Sequence, residues 1–296
     1  MKKNITLVLS GGGARGIAHI GVIEELVRMG YTINSISGTS MGALVGGIYA
    51  VGKLDEFKQW LFKINKQRIF QLIDFSFSSQ GLVKGERIFR EIKTFIPDAN
   101  IEDLIIPYAA TAYDIANYRE VVFKQGSLFN AIRASISIPT VLTPVMMGNA
   151  VLVDGGVANN VPINNAIRSE NDLLVAVHVN AEVVDNKISV THEKDLKALQ
   201  LMDDHELHSK GKERTKRLNY FNLVNNTMAT MTNHMSTLMM KQTPPDALIE
   251  ISRDCTHSFS IISHHKGCIR RMGIEKFKIS IATFFQNSKF LFYLFL

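Results

Sequence analysis

Cysteine is scarce in this chain, with only Cys255 and Cys268 among 296 residues. Two thiols are too few for a disulfide framework, and their spacing is not that of a zinc site. His264 and His265 lie close to Cys268 in sequence, but a structural zinc ion needs further well-spaced ligands. We therefore expect no metal, no other cofactor, and a reducing, cytoplasmic compartment.

Long hydrophobic runs are also missing. A membrane-spanning helix needs about 18 or more consecutive apolar residues, whereas the apolar runs at residues 5–9 and 290–296 are far shorter. The first run is also too short for the core of a signal peptide and ends in glycines, so we interpret it as a buried strand. Any membrane contact is expected to be peripheral.

The first part of the chain has no excess of either charge. Residues 1–185 carry 17 basic and 17 acidic side chains, and residues 186–296 carry 16 and 10, which gives the net charge of +6. A basic segment can favour anionic lipid by about 1 kcal/mol per Lys or Arg near the surface, although a solvated helical face at residues 205–218 is the simpler interpretation. We expect no nucleic-acid partner.

Short apolar strands alternate with helices along the first 180 residues. Residues 5–9 predict a central strand, followed by a glycine turn and a helix from Ala14 to about Met29. A short strand at residues 35–37 then leads into a second turn and a helix of small residues. This alternation predicts an α/β fold with three layers, in which helices cover both faces of a largely parallel sheet.

The pattern changes beyond this region. We predict a catalytic domain over residues 5–180, a helical extension over 181–254 that packs on its core, and an atypical, poorly ordered tail over 255–296. The five methionines of residues 222–240 indicate either ordinary helix packing or a soft surface for acyl chains.

The sequence Gly38-x-Ser40-x-Gly42 has the form of a nucleophile elbow. Glycines on both sides of a serine let a strand turn sharply into a helix and present the hydroxyl at the sheet edge. The pattern alone arises often by chance. Its position between an apolar strand and a helix of Ala, Gly and Val makes Ser40 the candidate nucleophile.

Residues 11–16 form a glycine-rich turn between the first predicted strand and the first helix. Their backbone N–H groups should converge at the positive end of the helix, which predicts an anion site. The anion could be a nucleotide phosphate or the oxyanion of an acyl intermediate; a purely structural turn is the third interpretation. A nucleotide site expects an acid at the end of the next strand, whereas that strand leads to Ser40.

Asp154 ends a predicted strand at residues 150–153 and is followed by Gly155 and Gly156. An isolated Asp-Gly pair is more often a hairpin turn than a site. Ligand sites gather at the carboxyl ends of strands in parallel sheets, however, and Ser40 needs a base. We therefore predict that the Asp154 carboxylate faces the Ser40 hydroxyl.

In this order, the three motifs resemble those of the patatin-like phospholipase family. The resemblance covers about residues 5–180, and Ala134-Ser135-x3-Pro139 is also similar to the bacterial members. It implies a three-layer α/β/α fold, a Ser40–Asp154 dyad without histidine or metal, and hydrolysis of acyl esters of glycerolipids. The motif glycines that it singles out are Gly16, Gly38, Gly42, Gly155 and Gly156.

These roles imply a mechanism. Asp154 accepts the Ser40 proton, an acyl-serine forms, and Asp154 then activates the water that releases the fatty acid. A free aspartate, with a pKa of about 3.9, is a poor base for a serine, so donors to the oxyanion should matter greatly. The expected donors are the backbone N–H groups of Gly11, Gly12, Gly13, Ala14 and Arg15.

Two alternatives remain open from the sequence. An α/β-hydrolase esterase would use serine, then acid, then histidine, and His178 is the best-placed histidine for that order. His178 lies in the middle of a predicted strand, and His19 lies in the first helix, so both are more easily explained as packed side chains. The other alternative is a non-catalytic module that binds an anion or a nucleotide.

Overall fold

Helices cover both faces of a central sheet in the computed structural model, which describes residues 4–64, 66–72, 74, 81–181, 220–252 and 261–264. The strands within these ranges are β1 (Asn4–Leu9), β2 (Thr32–Thr39), β3 (Gly81–Val83), β4 (Tyr108–Asp114), β5 (Arg119–Phe123), β6 (Thr140–Leu142), β7 (Val145–Met147), β8 (Ala150–Asp154), β9 (Leu173–Ala181), β10 (Ala247–Ser252) and β11 (Ile261–His264). The α-helices are α1 (Ala18–Arg28), α2 (Met41–Ala50), α3 (Leu54–Lys63), α4 (Lys66–Leu72), α5 (Glu86–Ile92), α6 (Leu128–Ser135) and α7 (Tyr220–Gln242).

The main sheet has a parallel centre and antiparallel flanks. Its strand order is β11-β10-β9-β1-β2-β4-β8-β7, with β5 also paired to β4. Neighbouring strands from β10 to β4 run parallel, whereas β5, β7, β8 and β11 pair in the antiparallel sense. The predicted α/β class with a largely parallel core is confirmed. The antiparallel direction of β7, β8 and β11 was not predicted, because periodicity within one strand does not reveal the direction of its neighbour.

The two faces of β1 pack into different layers. Ile5, Leu7 and Leu9 belong to the large core that also contains the inner faces of α1 and α2. Val8 faces the opposite layer, where a smaller apolar cluster contains Leu174 and contacts Met240 of α7. Full burial of each such aliphatic side chain contributes about 1.5–3 kcal/mol, so β1 is firmly fixed beneath the glycine turn that follows it.

Helix α2 is buried on nearly every side, which explains its run of small residues. A side chain at Gly46 would lie 2.7 Å from the Ile36 side chain of β2, and one at Gly47 would lie 3.0 Å from Ile132 of α6. Helices that are apolar all round are typical of protein interiors. The small residues let α2 lie directly against the sheet and hold the turn before it in place.

The first helix begins later than the sequence predicts. A 3-10 turn covers Gly13–Ile17, and the α-helix starts only at Ala18, where a helix from Ala14 was expected. Gly13 has a φ of 53°, a left-handed value that suits glycine. The chain therefore turns at the motif before regular helix can begin.

The C-terminal region contributes to the same sheet. Helix α7 packs against the turn that follows Asp154, and β10 pairs in parallel with β9. The tail beyond residue 254 enters the described structure only as β11, which pairs with β10. Residues 182–219, 253–260 and 265–296 lie outside the described ranges, so the boundaries of the extension and the tail stay predictions. No helix within the described ranges is long and apolar enough to cross a bilayer.

Candidate active site

Ser40 occupies a sharp turn between β2 and α2. Its φ of 55° and ψ of −122° are unusual for a residue other than glycine and mark a strained position of the kind that gathers at functional sites. A side chain at Gly38 would lie 2.6 Å from the backbone of Gly42, and one at Gly42 would lie 2.2 Å from the carbonyl oxygen of Leu9. The turn therefore needs both glycines of the predicted elbow.

Ser135 supports this turn from α6. Its hydroxyl accepts a hydrogen bond from the backbone N–H of Ser40 at 2.8 Å and donates one to the carbonyl oxygen of Thr111 at 2.6 Å. All of these groups are buried, where an unpaired polar group would cost about 1–3 kcal/mol. Ser135 entered the sequence analysis only through the family resemblance, because nothing local indicates that a serine at the end of a helix contacts the elbow.

The structure brings Ser40 and Asp154 together. The Ser40 Oγ donates a hydrogen bond to Oδ2 of Asp154 at 2.5 Å, and the backbone N–H of Gly156 donates to Oδ1 at 2.7 Å. Burial raises the pKa of Asp154 to about 6, against the smaller opposing effects of these two hydrogen bonds. The carboxylate is thus a stronger base than the free side chain assumed from the sequence, yet it remains mostly ionised at neutral pH.

The pairing of β4 explains how Asp154 reaches Ser40. Residues 110–111 of β4 pair with β2 on one edge and β5 on the other. β5 occupies its edge of β4 as far as Asp114. β2 occupies the other edge only as far as residue 111, so β8 can pair there with residues 112–114. The antiparallel β8 ends at Asp154, so its carboxyl end meets the carboxyl end of β2. Asp154 lies at the end of its strand, as the sequence predicts, but that strand is antiparallel to its neighbour and not part of the parallel centre.

The glycine turn lies directly beside Ser40. A side chain at Gly11 would be 3.2 Å from the Ser40 Cβ, and one at Gly12 would be 2.2 Å from the side chain of Val179. Close approach of this backbone to the hydroxyl thus requires glycine at both positions.

The five predicted amide donors differ in their hydrogen bonding. The N–H of Gly11 donates to the carbonyl oxygen of Asn160 at 3.0 Å, and that of Arg15 donates to the carbonyl oxygen of Gly12 at 3.2 Å. The amides of Gly12, Gly13 and Ala14 have no acceptor among the described residues. As the first N–H groups of a helical turn they are suited to an anion. The expectation for Gly11 and Arg15 is therefore corrected: their amides hold the turn in shape.

The Arg15 side chain contacts the protein itself. Its Nε donates to Oδ1 of Asn180 at 2.6 Å, and Nδ2 of Asn180 donates to the Gly11 carbonyl oxygen at 3.3 Å. These bonds tie the glycine turn to the end of β9. Asn160 and Asn180 were missed by the sequence analysis, since isolated asparagines outside any motif give no signal.

Both histidines considered from the sequence are buried. The His19 ring donates from Nε2 to the carbonyl oxygen of Ser10 at 2.8 Å. Burial lowers the pKa of His19 and of His178 to about 4. The Ser40 hydroxyl bonds to a carboxylate, so the arrangement is that of a serine and aspartate pair.

The candidate site opens into a cavity of about 230 Å³, which α7 walls on one side. Met228 supplies apolar surface there, and the Thr232 hydroxyl donates to the carbonyl oxygen of Gly156 at 3.2 Å. The lining residues are Gly11, Gly12, Gly13, Ala14, Arg15, Ser40, Ile138, Pro139, Asp154, Gly156, Val157, Asn160, Asn180, Met228, Ala229, Thr232 and Asn233. The described residues contain no cluster of three or more potential metal ligands.

Comparison with known families decides the classification of the chain. A family model described as patatin-like phospholipase matches residues 7–167, more than half of the sequence. The chain belongs to the patatin-like phospholipase family. The resemblance inferred from the three motifs is thereby confirmed, and the matched region contains the patatin-like elbow, glycine turn and Asp-Gly-Gly element.

Curated relatives of this patatin-like chain include bacterial and eukaryotic proteins. An uncharacterized NTE family protein of Mycobacterium tuberculosis is 42% identical over 176 residues, covering 60% of this chain and 49% of the relative. Lysophospholipase NTE1 of Candida albicans is 33% identical over 179 residues, covering 59% of this chain and 13% of the relative. The chain thus spans about half, or less, of the length of the curated relatives it matches.

A solved structure is also similar to this patatin-like protein. VipD from Legionella pneumophila matches with a TM-score of 0.41 and 15% sequence identity, covering 67% of this chain and 53% of that one.

Proposed function

We propose that this protein is a serine acyl hydrolase that cleaves fatty-acyl esters of glycerolipids at a membrane surface. The observation that carries the proposal is the 2.5 Å hydrogen bond from the Ser40 Oγ to a buried carboxylate, beside three backbone amides that have no acceptor among the described residues. A nucleophile, a base and donors for an oxyanion within one cavity are the set that acyl transfer needs. Family membership and the lysophospholipase among the relatives support a lipid ester as substrate.

The reaction begins when the Ser40 Oγ attacks the ester carbonyl carbon. Asp154 accepts the hydroxyl proton as the new bond forms, and the carbonyl oxygen becomes an oxyanion. The amides of Gly12, Gly13 and Ala14 are the candidate donors to that oxygen. Each such donor contributes about 3 kcal/mol to transition-state stabilisation when it is aimed in advance.

Asp154 next returns the proton, and water completes the reaction. The alcohol leaves with a proton supplied by Asp154, and an acyl group remains on Ser40. Asp154 then takes a proton from the water that attacks the acyl-serine, and it returns this proton to the Ser40 Oγ as the fatty acid leaves. A carboxyl group whose pKa lies near 6 is suited to both directions of transfer at neutral pH.

Hydrolysis of a short-chain p-nitrophenyl ester and of a lysophospholipid tests this function. Ser40→Ala is expected to lower kcat on both substrates by about 1,000-fold or more, because the covalent step is lost. Equal activity in Ser40→Ala and the unchanged protein would remove the proposed nucleophile. His178→Ala serves as the control, and loss of turnover in that variant with activity retained in Asp154→Asn would instead favour the α/β-hydrolase order.

A further inference from the structure

Two neighbouring β-hairpins carry exposed apolar side chains at their tips. Ile115 and Tyr118 lie in the turn between β4 and β5, with 44% and 84% of their surfaces exposed. Met146 and Met147 are the last two residues of β7, just before the turn to β8, with 63% and 48% of their surfaces exposed. We call these four residues the hairpin crest. Exposed apolar side chains are ordinary when scattered singly, but a group of four large ones indicates an interaction surface.

Hydrogen bonds hold the two hairpin tips together. The backbone N–H of Ile115 donates to the carbonyl oxygen of Val151 at 3.0 Å, and Val151 pairs with Met146 across β7 and β8. The buried Asp114 carboxylate accepts from the backbone N–H of Val151 at 3.1 Å and from Nδ2 of Asn117 at 2.7 Å. One carboxylate thus fixes the first turn and joins it to the second hairpin.

The register of β4 places the crest beyond the candidate active site. Thr39, the residue before Ser40, pairs with Thr111, and β4 continues from there toward Ile115. Four further residues of strand advance the chain by roughly 13 Å. That advance is toward the carboxyl edge of the parallel strands, where the cavity lies. Val157, which lines the cavity, is 40% exposed.

Tyr118 adopts a strained backbone conformation at its exposed position. Its φ is 54°, in the left-handed region that favours Gly, Asn or Asp. This conformation costs a bulky residue about 1 kcal/mol or more. Because the Tyr118 side chain is 84% exposed, its contacts within the protein offset little of that cost. The strained aromatic indicates a contact outside the chain.

The charges around the crest favour an anionic surface. Neither turn, at residues 115–118 or 148–149, contains a charged side chain. Arg119 stands at the base of the first turn with 68% of its side chain exposed, whereas its partner Asp114 is fully buried. The ion pair is neutral as a whole, but its exposed member is the guanidinium, which suits contact with anionic phospholipid head groups.

We propose that the hairpin crest docks the protein on a bilayer containing anionic phospholipid and thereby turns the Ser40 cavity toward its lipid substrate. This proposal rests on the proposed function for the identity of that substrate. The apolar tips enter the interfacial region of the bilayer, where the tyrosine ring contacts acyl chains and its hydroxyl stays hydrated. Arg119 remains at the level of the head groups.

Vesicle flotation tests this docking in the full chain carrying Ser40→Ala, so that hydrolysis does not change the lipid. The vesicles consist of phosphatidylcholine, with or without phosphatidylglycerol. Adding Tyr118→Asn and Met146→Ser is expected to weaken binding to the anionic vesicles about 10-fold, since two apolar anchors are lost. Ile105→Ser is the matched control, because Ile105 is 97% exposed but precedes β4 at the opposite edge of the sheet.

Two further measurements distinguish loss of docking from misfolding of the variant with the crest substitutions. Tyr118→Asn relieves backbone strain, so the free energy of unfolding should stay equal or increase. With Ser40 retained, hydrolysis of a soluble short-chain ester should be unchanged while hydrolysis of vesicle phospholipid falls. The docking role would be overturned if the protein with the crest substitutions bound vesicles as well as the Ser40→Ala protein does. It would also be overturned if Ile105→Ser weakened vesicle binding to the same extent.

Two further outcomes separate the possible failures. A dimer that Tyr118→Asn dissociates, in a protein that does not bind vesicles, would assign the crest to contact between two copies of the chain and overturn the lipid surface. Vesicle binding that depends on the crest, in a protein whose ester hydrolysis is the same with and without Ser40, would sustain docking and remove the proposed function instead.

Discussion

The parallel centre and the antiparallel flank of the sheet build the candidate site in different ways. In the centre, β1 and β2 each end in a glycine motif, and their turns hold the candidate amide donors and Ser40. In the flank, Asp154 arrives on β8, a strand that follows the elbow by more than 100 residues and runs the other way. The first half depends on local turns, whereas the second depends on long-range strand pairing.

This difference also appears in the kind of contact that fixes each half. In the centre the backbone is so closely packed that a side chain at Gly42 would lie 2.2 Å from the Leu9 carbonyl oxygen. In the flank, hydrogen bonds set the geometry, among them the bond from the Asp154 N–H to the Ser137 carbonyl oxygen at 2.9 Å. Substitutions in the centre should therefore act first on folding, and those in the flank first on turnover.

The largest expected effect is that of Asp154→Asn in the flank. The amide cannot accept the Ser40 proton, so kcat on a short-chain ester should fall about 10⁴-fold with the fold intact. Asp172→Asn changes another buried carboxylate, one that bonds to Thr6 and Asn34 instead, and should keep most of the turnover. Steady-state kinetics with circular dichroism checks both, and full activity in Asp154→Asn would contradict the proposed base.

In the centre, Gly42→Ala should lower the free energy of unfolding by about 3 kcal/mol or more, because a methyl group would overlap the backbone of β1. Gly13→Ala is the matched comparison: its methyl group would meet nothing within 4 Å, although the φ is 53°. That substitution should cost only about 1 kcal/mol. Urea unfolding measures both, and equal losses would show that packing does not fix the elbow.

The pH dependence of turnover should report on the flank. Asp154 must be ionised to act as a base, and burial raises its pKa to about 6. The kcat/KM for a soluble ester should therefore fall about tenfold per pH unit below 6 and level off above it. The low-pH limb should persist in His178→Asn, and its loss in that variant would assign it to the histidine.

The same pKa predicts the sign of a stability change. The folded state holds the Asp154 proton more tightly than the unfolded chain, whose carboxyl group has the ordinary value of 3.8. This contribution to the free energy of unfolding is fully present below pH 4 and is lost as the pH rises through 6. Unfolding measured from pH 4 to 7 should show a smaller decline in Asp154→Asn, and an unchanged slope would mean that Asp154 does not titrate in this range.

The smallest effect is expected where the two halves meet, at Ser135. Ser135→Ala leaves the Ser40 N–H and the Thr111 carbonyl oxygen without their partner, which should lower the free energy of unfolding by about 1–2 kcal/mol. A loosened elbow should lower kcat about 10-fold with little change in KM. Ser137→Ala is the control, since that hydroxyl bonds to Arg133. Equal kinetics in the two variants would mean that Ser135 has no positioning role.

The sequence predicted the centre better than the flank. The elbow at Ser40 and the turn at residues 11–16 could be recognised because each is a short, continuous pattern whose glycines have a steric purpose. The contacts of Ser135, Asn160 and Asn180 could not be, because each joins segments far apart in the chain. The pKa of Asp154 was also out of reach, since burial depends on everything that packs around the carboxylate.

By itself, the sequence determined the α/β class, the family and the two side chains now proposed as nucleophile and base, because turn glycines and apolar periods are local properties of a chain. Only the tertiary structure decided which amides of the glycine turn bond within the protein, how β8 carries Asp154 to Ser40, and that two hairpin tips lie beyond the candidate site. Those features depend on which edge of β4 each neighbour occupies, and strand pairing is chosen by the folded core as a whole.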